Sequence, residues 1–96
     1  MAVRLVVSIT AAPGKGHELA QVYKARCAEA RQEPGCEQFE IFQSVADPDR
    51  FALLELWKDK AALAVHAELN KTKAPVPSEL RAGVAQREDY EYSRTR

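Results

Sequence analysis

The stretch that decides the fold covers residues 33–66 and reads EPGCEQFEIFQSVADPDRFALLELWKDKAALAVH. Within it, residues 37–45 alternate and residues 51–57 are almost continuously apolar, as strands do, and the turn Asp47-Pro48-Asp49 separates them. Because this connection is short, the two strands are predicted to pair as an antiparallel hairpin. Asp59 is a suitable N-cap for a helix that follows at once. The stretch therefore predicts a hairpin followed by a helix.

Three further elements flank this unit. Residues 3–11 are rich in Val and Ile and end before Pro13-Gly14, which predicts a first strand. Between residues 16 and 32 the apolar side chains recur at helical spacing, which predicts an amphipathic helix. Residues 83–92 alternate weakly and are predicted to form a fourth strand at an edge. The resulting βαββαβ order is typical of an α+β, ferredoxin-like domain with an antiparallel sheet.

The two predicted central strands indicate a partner. Residues 3–11 and residues 51–57 carry apolar side chains on both faces of the sheet. Two helices can cover only one face of a four-stranded sheet, so the other face needs cover from outside the chain. A second copy of the chain is the simplest cover. The pattern therefore predicts a homodimer formed sheet to sheet.

Length and composition narrow the class of protein. With 96 residues, the chain is predicted to be a single domain covering residues 1–96, in which the polar residues 93–96 form a fraying tail. Lys plus Arg and Asp plus Glu number 14 each, so the charge balance predicts no nucleic-acid partner and no membrane-surface partner. No segment has the pattern of a signal peptide or the length of a membrane span, so a cytoplasmic location is expected.

His66 and Trp57 are the leading candidates for chemistry. On the predicted second helix, His66 shares an apolar stripe with Ala62, Val65 and Leu69, so it is expected to face the sheet. A neutral imidazole in an apolar pocket can accept a proton from a substrate, although a buried histidine bonded to backbone fits the same pattern. Trp57 is either a flat pocket wall with an N–H donor or a core residue at a strand end.

Glu55 lies mid-strand among apolar neighbours, where an unpaired carboxylate is costly. A buried arginine partner is the favoured explanation, and a pocket acid with a raised pKa is the alternative. Phe39, Phe42 and Tyr23 are candidates to line the same cavity, although aromatic side chains at such spacings also serve simply as core.

No motif for a cofactor or metal is present in the sequence. Only His17 and His66 supply imidazoles, and they belong to different elements without metal-ligand spacing. The four glycines form no phosphate-binding or dinucleotide motif. Cys27 and Cys36 form no CxxC pair and are predicted to be structural thiols. We therefore expect no metal and no bound cofactor.

The motifs above occur in a recognisable order. Residues 33–36, the aromatics Phe39 and Phe42, the Glu55-x-Trp57 pair and His66 together resemble the antibiotic biosynthesis monooxygenase superfamily. The resemblance extends from residue 3 to about residue 92. It implies a ferredoxin-like fold that dimerises through its sheets into an α+β barrel, with a pocket between helices and sheet in each subunit.

The resemblance also carries expectations about the reaction. The superfamily includes small oxygenases of quinols and aromatic polyketides that use O2 without metal or flavin, haem-degrading enzymes and an isomerase of autoinducer breakdown. By position, Trp57 matches the pocket tryptophan and His66 the histidine of the second helix. Val7 stands where haem-degrading relatives have asparagine, which argues against haem degradation. Leu69 and Asn70 occupy the place of a second histidine found in many oxygenase relatives, so a two-histidine relay is not available.

These observations lead to one expected function and two alternatives. The expected function is a cofactor-independent monooxygenase that oxidises a quinol-like or phenolic small molecule with O2, with His66 as base and Trp57 orienting the substrate. The first alternative is an isomerase-type enzyme acting on a small phosphorylated metabolite. Arg26, at the edge of the apolar stripe of the predicted first helix, is the one basic residue on that stripe that could bind the phosphate. The second is a non-catalytic dimer that binds a small hydrophobic molecule or whose pocket is collapsed by Phe39, Phe42 and Leu69.

Overall fold

The computed structural model describes residues 1–94, which contain two helices and four strands in the predicted order. In chain order the elements are β1 (Val3–Thr10), α1 (Gly16–Ala30), β2 (Cys36–Gln43), β3 (Arg50–Trp57), α2 (Lys60–Asn70), a short 3-10 turn (Ser78–Leu80) and β4 (Gln86–Glu91). Their ends differ from the predicted ones by a few residues. Across residues 1–94, no helix has the length and apolar composition needed to cross a membrane. The end of the tail expected to fray, residues 95–96, lies outside the described residues.

The four strands form one antiparallel sheet in the order β2-β3-β1-β4. In the centre, Val3 pairs with Trp57 and Leu5 pairs with Glu55. On its other side, Val3 pairs with Glu91 of β4, which is an edge strand as predicted. The sheet and the two helices make a ferredoxin-like α+β fold, which confirms the predicted fold class.

The two faces of the sheet carry different side chains. On the face beneath the helices, the buried strand residues are Val3, Leu5, Ile9, Phe39, Phe51, Leu53 and Trp57. They join Leu19 and Cys27 of α1 in one core. The alternate residues of the central strands point to the other face, and three of the apolar ones, Val6, Ala52 and Leu54, are half-buried there. We call this second surface the open face.

Phe42 lies on the open face, which corrects the prediction that it lines a cavity with Phe39. On β2, Phe39 pairs with Glu55, whereas Phe42 pairs with Ala52. Successive strand residues point to opposite faces, so two residues that are three positions apart cannot share one face. Phe39 is accordingly buried, while Phe42 remains 44% exposed.

The turn between β2 and β3 also caps α1. The Asp49 carboxylate accepts hydrogen bonds from the backbone N–H groups of Gly14 and Gly16, each at 3.0 Å. Gly16 lies so close to the turn that a Cβ atom there would come within 2.2 Å of the Pro48 carbonyl oxygen. Because the first N–H groups of a helix have no partner inside it, the hairpin supplies the partners and fixes where α1 begins.

The second helix begins as predicted but is rotated relative to the predicted stripe. The Asp59 side chain accepts a hydrogen bond from the Ala62 N–H at 2.8 Å. Ala62 and His66 are buried, whereas Val65 and Leu69 are 49% and 39% exposed. His66 therefore faces the sheet as expected, but two of the three apolar residues assigned to its stripe do not.

Both cysteines are free, as predicted. Cys27 is buried in the core and Cys36 is half-buried at the start of β2. Burial raises the pKa of both thiols above the ordinary value. Since the thiolate is the reactive form, these thiols are less reactive than an ordinary cysteine and are suited to a structural role.

Candidate active site

His66 packs against two aromatic rings, Trp57 and Phe39, on the covered face of the sheet. Its ring centroid lies 4.6 Å from that of Trp57 and 5.4 Å from that of Phe39. The residue is only 6% exposed. Contact with both rings restricts the orientation of the imidazole, and the hydrogen-bond partners of its two nitrogens define it further.

Both nitrogens of His66 contact side chains. Nδ1 lies 2.7 Å from Oε1 of Glu33, and Nε2 lies 3.3 Å from Nδ2 of Asn70. The second carboxylate oxygen of Glu33 lies 3.4 Å from the Lys73 Nζ. Both ring nitrogens thus contact side chains, a carboxylate at Nδ1 and an amide at Nε2. The alternative of a histidine hydrogen-bonded to backbone does not match this structure.

Glu55 is a buried carboxyl group beside this histidine. It is 6% exposed and accepts a hydrogen bond from the Trp57 Nε1–H at 3.0 Å. Burial raises the pKa of Glu55 above its ordinary value, while the indole hydrogen bond and the nearby His66 act in the opposite direction. Glu55 thus retains its proton to a higher pH than an ordinary glutamate.

The arginine partner favoured for Glu55 is not found in the part of the chain that the structure describes. The nearest candidate, Arg87, forms two hydrogen bonds of 2.6 Å with Asp89 instead. That pairing lowers the pKa of Asp89 and leaves Glu55 with Trp57 as its hydrogen-bond partner. The geometry matches the alternative of a pocket acid rather than a structural ion pair.

Two cavities meet at these residues. The larger, about 640 Å³, lies along α2 and the covered side of β1 and β4, and its apolar lining includes Val3, Leu5, Leu63, Ala64 and Ala67. The smaller, about 160 Å³, is lined by Val7, Tyr23, Arg26, Phe39 and Lys73 among others. Glu55, His66 and Asn70 line both cavities. A molecule in either cavity would therefore contact the same polar groups.

The predicted site residues are brought together only in part. Phe39 and Tyr23 line the smaller cavity with Glu55 and His66, and burial raises the pKa of the Tyr23 hydroxyl. Trp57 is fully buried and lines neither of the two cavities. Its ring packs against His66, and its Nε1–H donates a hydrogen bond to the Glu55 carboxyl group. Phe42 is on the open face and takes no part.

Glu33 and Asn70 are the site residues that the sequence interpretation did not single out. Asn70 lies four positions after His66, and residues at that spacing share one face of a helix. That spacing was a usable signal. Glu33 lies in a loop, and nothing in its local sequence shows that it approaches α2. Only the packing of that loop brings the carboxylate to the imidazole.

No metal site accompanies this cluster within residues 1–94. None of the histidine, cysteine, aspartate and glutamate side chains described there form a group of three or more placed to hold a metal ion. The groups around His66 are instead an amide, a carboxylate and an indole ring, which position an imidazole or take part in proton transfer.

The family comparison agrees with this fold and site. The family model described as "Antibiotic biosynthesis monooxygenase" matches residues 2–76, which include β1, both helices and the hairpin. The chain belongs to the antibiotic biosynthesis monooxygenase family. The resemblance noted from the sequence is thereby confirmed.

Individual relatives match different shares of the chain. "Putative monooxygenase YcnE" from Bacillus subtilis (strain 168) is 34% identical over 56 residues, which span 58% of this chain and 59% of that protein. The crystal structure of PA3566 from Pseudomonas aeruginosa superposes with a TM-score of 0.82 at 28% identity, covering 97% of this chain and 95% of that chain.

A structure from Nitrosomonas europaea, titled as a putative antibiotic biosynthesis monooxygenase, gives a TM-score of 0.80 at 24% identity. It covers 93% of this chain and 88% of that chain. At this identity the likeness concerns the fold. Together the comparisons assign the architecture to the family, and the reaction has to be argued from the side chains.

Proposed function

We propose that the protein is a cofactor-independent monooxygenase that oxidises a quinol-like or phenolic small molecule with O2. The observation that carries the proposal is the placement of His66 and Glu55 on the wall shared by two cavities. His66 is suited to accept a proton, and Glu55 is better suited to supply one than an ordinary glutamate, because burial raises the pKa of its carboxyl group. Family membership supports the reaction class.

His66 would start the reaction by removing the hydroxyl proton of the bound substrate. The resulting phenolate is electron-rich and passes one electron to O2, which produces a substrate radical and superoxide. These two radicals combine at a ring carbon to form a peroxide, which takes the proton back from the imidazolium. The substrate itself is the reductant in this sequence, so no flavin or metal is required for electron balance.

Glu55 would assist the second half of the reaction. Cleavage of the O–O bond expels hydroxide, which takes the Glu55 proton and leaves as water, while His66 removes the ring proton. The remaining oxygen becomes a quinone carbonyl. Overall, one phenol and one O2 give one quinone and one water. Proton transfer from His66 to Glu55 then restores both groups.

The cavities suit an aromatic substrate of modest size. A cavity of about 150 Å³ is large enough for one benzene ring, so the smaller cavity of about 160 Å³ matches a single ring. Its lining includes the aromatic side chains of Tyr23 and Phe39. The larger cavity is open and would admit the rest of the substrate and exchange product with solvent.

We also propose that the working form is a homodimer joined through the open faces. That surface presents Phe42 at 44% exposure and the half-buried side chains of Val6, Ala52 and Leu54. A contiguous apolar surface on a central sheet is costly in water unless a partner covers it. In a dimer with twofold symmetry, the open face of each copy covers the open face of the other.

The two alternatives have less support. A phosphorylated substrate would need several free cations, but Arg26 donates a hydrogen bond to the Ala74 carbonyl and Lys73 pairs with Glu33. At the larger cavity Arg87 pairs with Asp89, which leaves Lys60 as a single lysine there among residues 1–94.

A collapsed pocket would need Phe39, Phe42 and Leu69 to fill the cavity together. Phe42 is on the open face, Leu69 is exposed on α2, and a cavity of about 160 Å³ remains beside Phe39. The monooxygenase proposal is therefore the one that the site supports best.

Oxygen uptake with a panel of phenols and quinols, using protein treated with a chelator, tests the proposal. A monooxygenase places one atom of labelled 18O2 in the product and releases no peroxide. An oxidase would release hydrogen peroxide and leave the product unlabelled, and this result would contradict the proposal. The absence of oxygen uptake with every substrate, combined with tight binding of one of them, would instead favour the non-catalytic dimer.

A further inference from the structure

We propose that Glu33 is the positioning residue that sets the tautomer of His66, so that Nε2 is the nitrogen that accepts the substrate proton. The consequence for catalysis rests on the function proposed above. The assignment of the tautomer does not, because it follows from the contacts of the imidazole alone.

The contact at Nδ1 decides which nitrogen carries the proton. Nδ1 and Oε1 of Glu33 are 2.7 Å apart, which is a short hydrogen bond. An ionised carboxylate can only accept hydrogen bonds, so Nδ1 must be the donor. In a neutral imidazole the other nitrogen then has the free electron pair. Nε2 is therefore the basic atom.

The contact at Nε2 agrees independently. Nδ2 of Asn70 lies 3.3 Å from Nε2, and an amide nitrogen is a donor. A donor facing Nε2 requires an electron pair there rather than a hydrogen. Asn70 also lines both cavities, so a substrate hydroxyl would take the place of its amide at Nε2.

Glu33 is itself held in place. Lys73 Nζ lies 3.4 Å from Oε2, the carboxylate oxygen that does not contact His66. The side chains of Glu33 and His66 are both 8% exposed, so water screens their attraction only weakly. A carboxylate with a cation on one oxygen and an N–H on the other has little freedom to rotate, which is what an orienting group requires.

The sequence around Glu33 accounts for the approach of the loop to α2. Gly35 has a φ of 79°, and a Cβ atom there would lie 2.5 Å from the Cβ of Ala62. Ala62 is one helical turn before His66, on the same side of α2. The Gly35 carbonyl also accepts a hydrogen bond from the Lys58 N–H at 2.9 Å. The glycine therefore lets the loop dock where Glu33 reaches the imidazole.

Nitrogen NMR of the His66 ring tests the tautomer directly. At about pH 8.5, where an ordinary imidazole is neutral, we expect the wild-type ring to show a protonated Nδ1 and an unprotonated Nε2. Glu33→Ala removes the acceptor, and we expect the ring to change to a mixture of both tautomers. Glu33→Gln keeps an acceptor oxygen without the charge, and the Nδ1-protonated form should remain in the majority.

Glu29→Gln is the matched control. Glu29 is a carboxylate near the end of α1, four residues before Glu33; its side chain is 59% exposed, and its Oε2 lies 4.0 Å from Lys73 Nζ. This variant removes the same charge at a similar place without touching the imidazole, so the ring signals should not change. A wild-type ring protonated on Nε2, or ring signals that are unchanged in Glu33→Ala, would overturn the assignment.

Turnover of a substrate found in the oxygen-uptake panel tests the catalytic consequence. We expect kcat to fall on the order of 10²-fold in Glu33→Ala and by less in Glu33→Gln, with KM little changed, since an orienting carboxylate acts on the base rather than on binding. Glu29→Gln should retain wild-type kcat. Unchanged kcat in Glu33→Ala with altered ring signals would refute the positioning role. If no substrate is turned over, the proposed function fails while the NMR result still decides the tautomer.

Discussion

The covered face of the sheet buries polar side chains, whereas the open face exposes apolar ones. On the covered face, Glu55 and His66 are each 6% exposed and lie beside cavities. On the open face, Phe42 is 44% exposed and Leu54 is half-buried. Burying a polar group and exposing an apolar one both cost free energy. The proposed chemistry would account for the first cost and the proposed dimer for the second, so substitutions on the two faces should have different effects.

The largest expected effect is on catalysis at the covered face. His66→Gln keeps a polar side chain but removes the base, and we expect kcat to fall about 10²- to 10⁴-fold, the usual contribution of a general base. Steady-state oxygen uptake measures this effect. Val65→Ala is the control, because Val65 is the preceding residue and is 49% exposed. Similar losses in both variants would show that the helix, rather than the imidazole, matters.

The next prediction concerns the open face and assembly. Leu54→Glu puts a charge in the proposed dimer surface, twice per dimer, and should weaken self-association by at least about 10²-fold. Light scattering after size-exclusion chromatography measures the mass, and circular dichroism checks folding. Val84→Glu places the same charge at a site that is 91% exposed and should leave assembly unchanged. A wild-type protein that is monomeric at high concentration would refute the proposed dimer.

The third prediction tests the loop that brings Glu33 to the covered face. Gly35→Ala adds a Cβ atom 2.5 Å from Ala62 in a backbone with a φ of 79°, and should lower the free energy of unfolding by about 1–3 kcal/mol. Gly14→Ala is a matched control, since its φ is 78° and nothing lies within 4 Å of the added atom. The difference between the two variants in denaturant isolates the contact with Ala62. Equal destabilisation would mean that the loop does not need that close approach.

The smallest expected effect is the pH dependence of stability caused by Glu55. Its pKa is higher in the folded protein than in the unfolded chain, so the folded state binds the proton more tightly. The stabilisation is complete below the unfolded pKa of about 4.3 and is lost as pH rises through the folded pKa. Glu55→Gln cannot ionise, so it should gain stability relative to wild type over that range, by at most about 1.4 kcal/mol per pH unit.

Urea unfolding of both proteins at several pH values measures this difference. Asp89→Asn is a useful contrast, because the Arg87 hydrogen bond lowers the pKa of Asp89 and its effect has the opposite sign. A constant difference between Glu55→Gln and wild type across the pH series would show that Glu55 titrates normally.

Much of the fold could be predicted because local patterns are strong in this chain. The Asp47-Pro48-Asp49 turn and the Asp59 cap depend on neighbouring residues, and both occur where they were expected. The rotation of α2 was not predicted, since alanine and valine mark a helical stripe only weakly. The sequence pattern predicts that Val65 faces inward, but the structure shows it exposed. Packing against β3, rather than the hydrophobicity of single residues, sets the orientation of the helix.

The candidate site was predicted less completely. His66 and Glu55 were identified because a polar residue in an apolar pattern is conspicuous in the sequence. The hydrogen-bond partner of Glu55 was not identified. The sequence favours an arginine, whereas the structure shows the indole N–H of Trp57, two residues away on the same side of β3. Phe42 was placed in the cavity although its position on β2 differs by three from that of Phe39, which puts them on opposite faces.

The sequence by itself determined the order of the elements, the hairpin and the apolar character of both faces of the central strands, because turns, caps and alternation act between residues close along the chain. Only the tertiary structure decided which nitrogen of His66 is basic. Glu33 and His66 are 33 positions apart and meet through the contact of Gly35 with Ala62. A contact between distant segments depends on how the loop and the helix pack in three dimensions, and no local pattern encodes it.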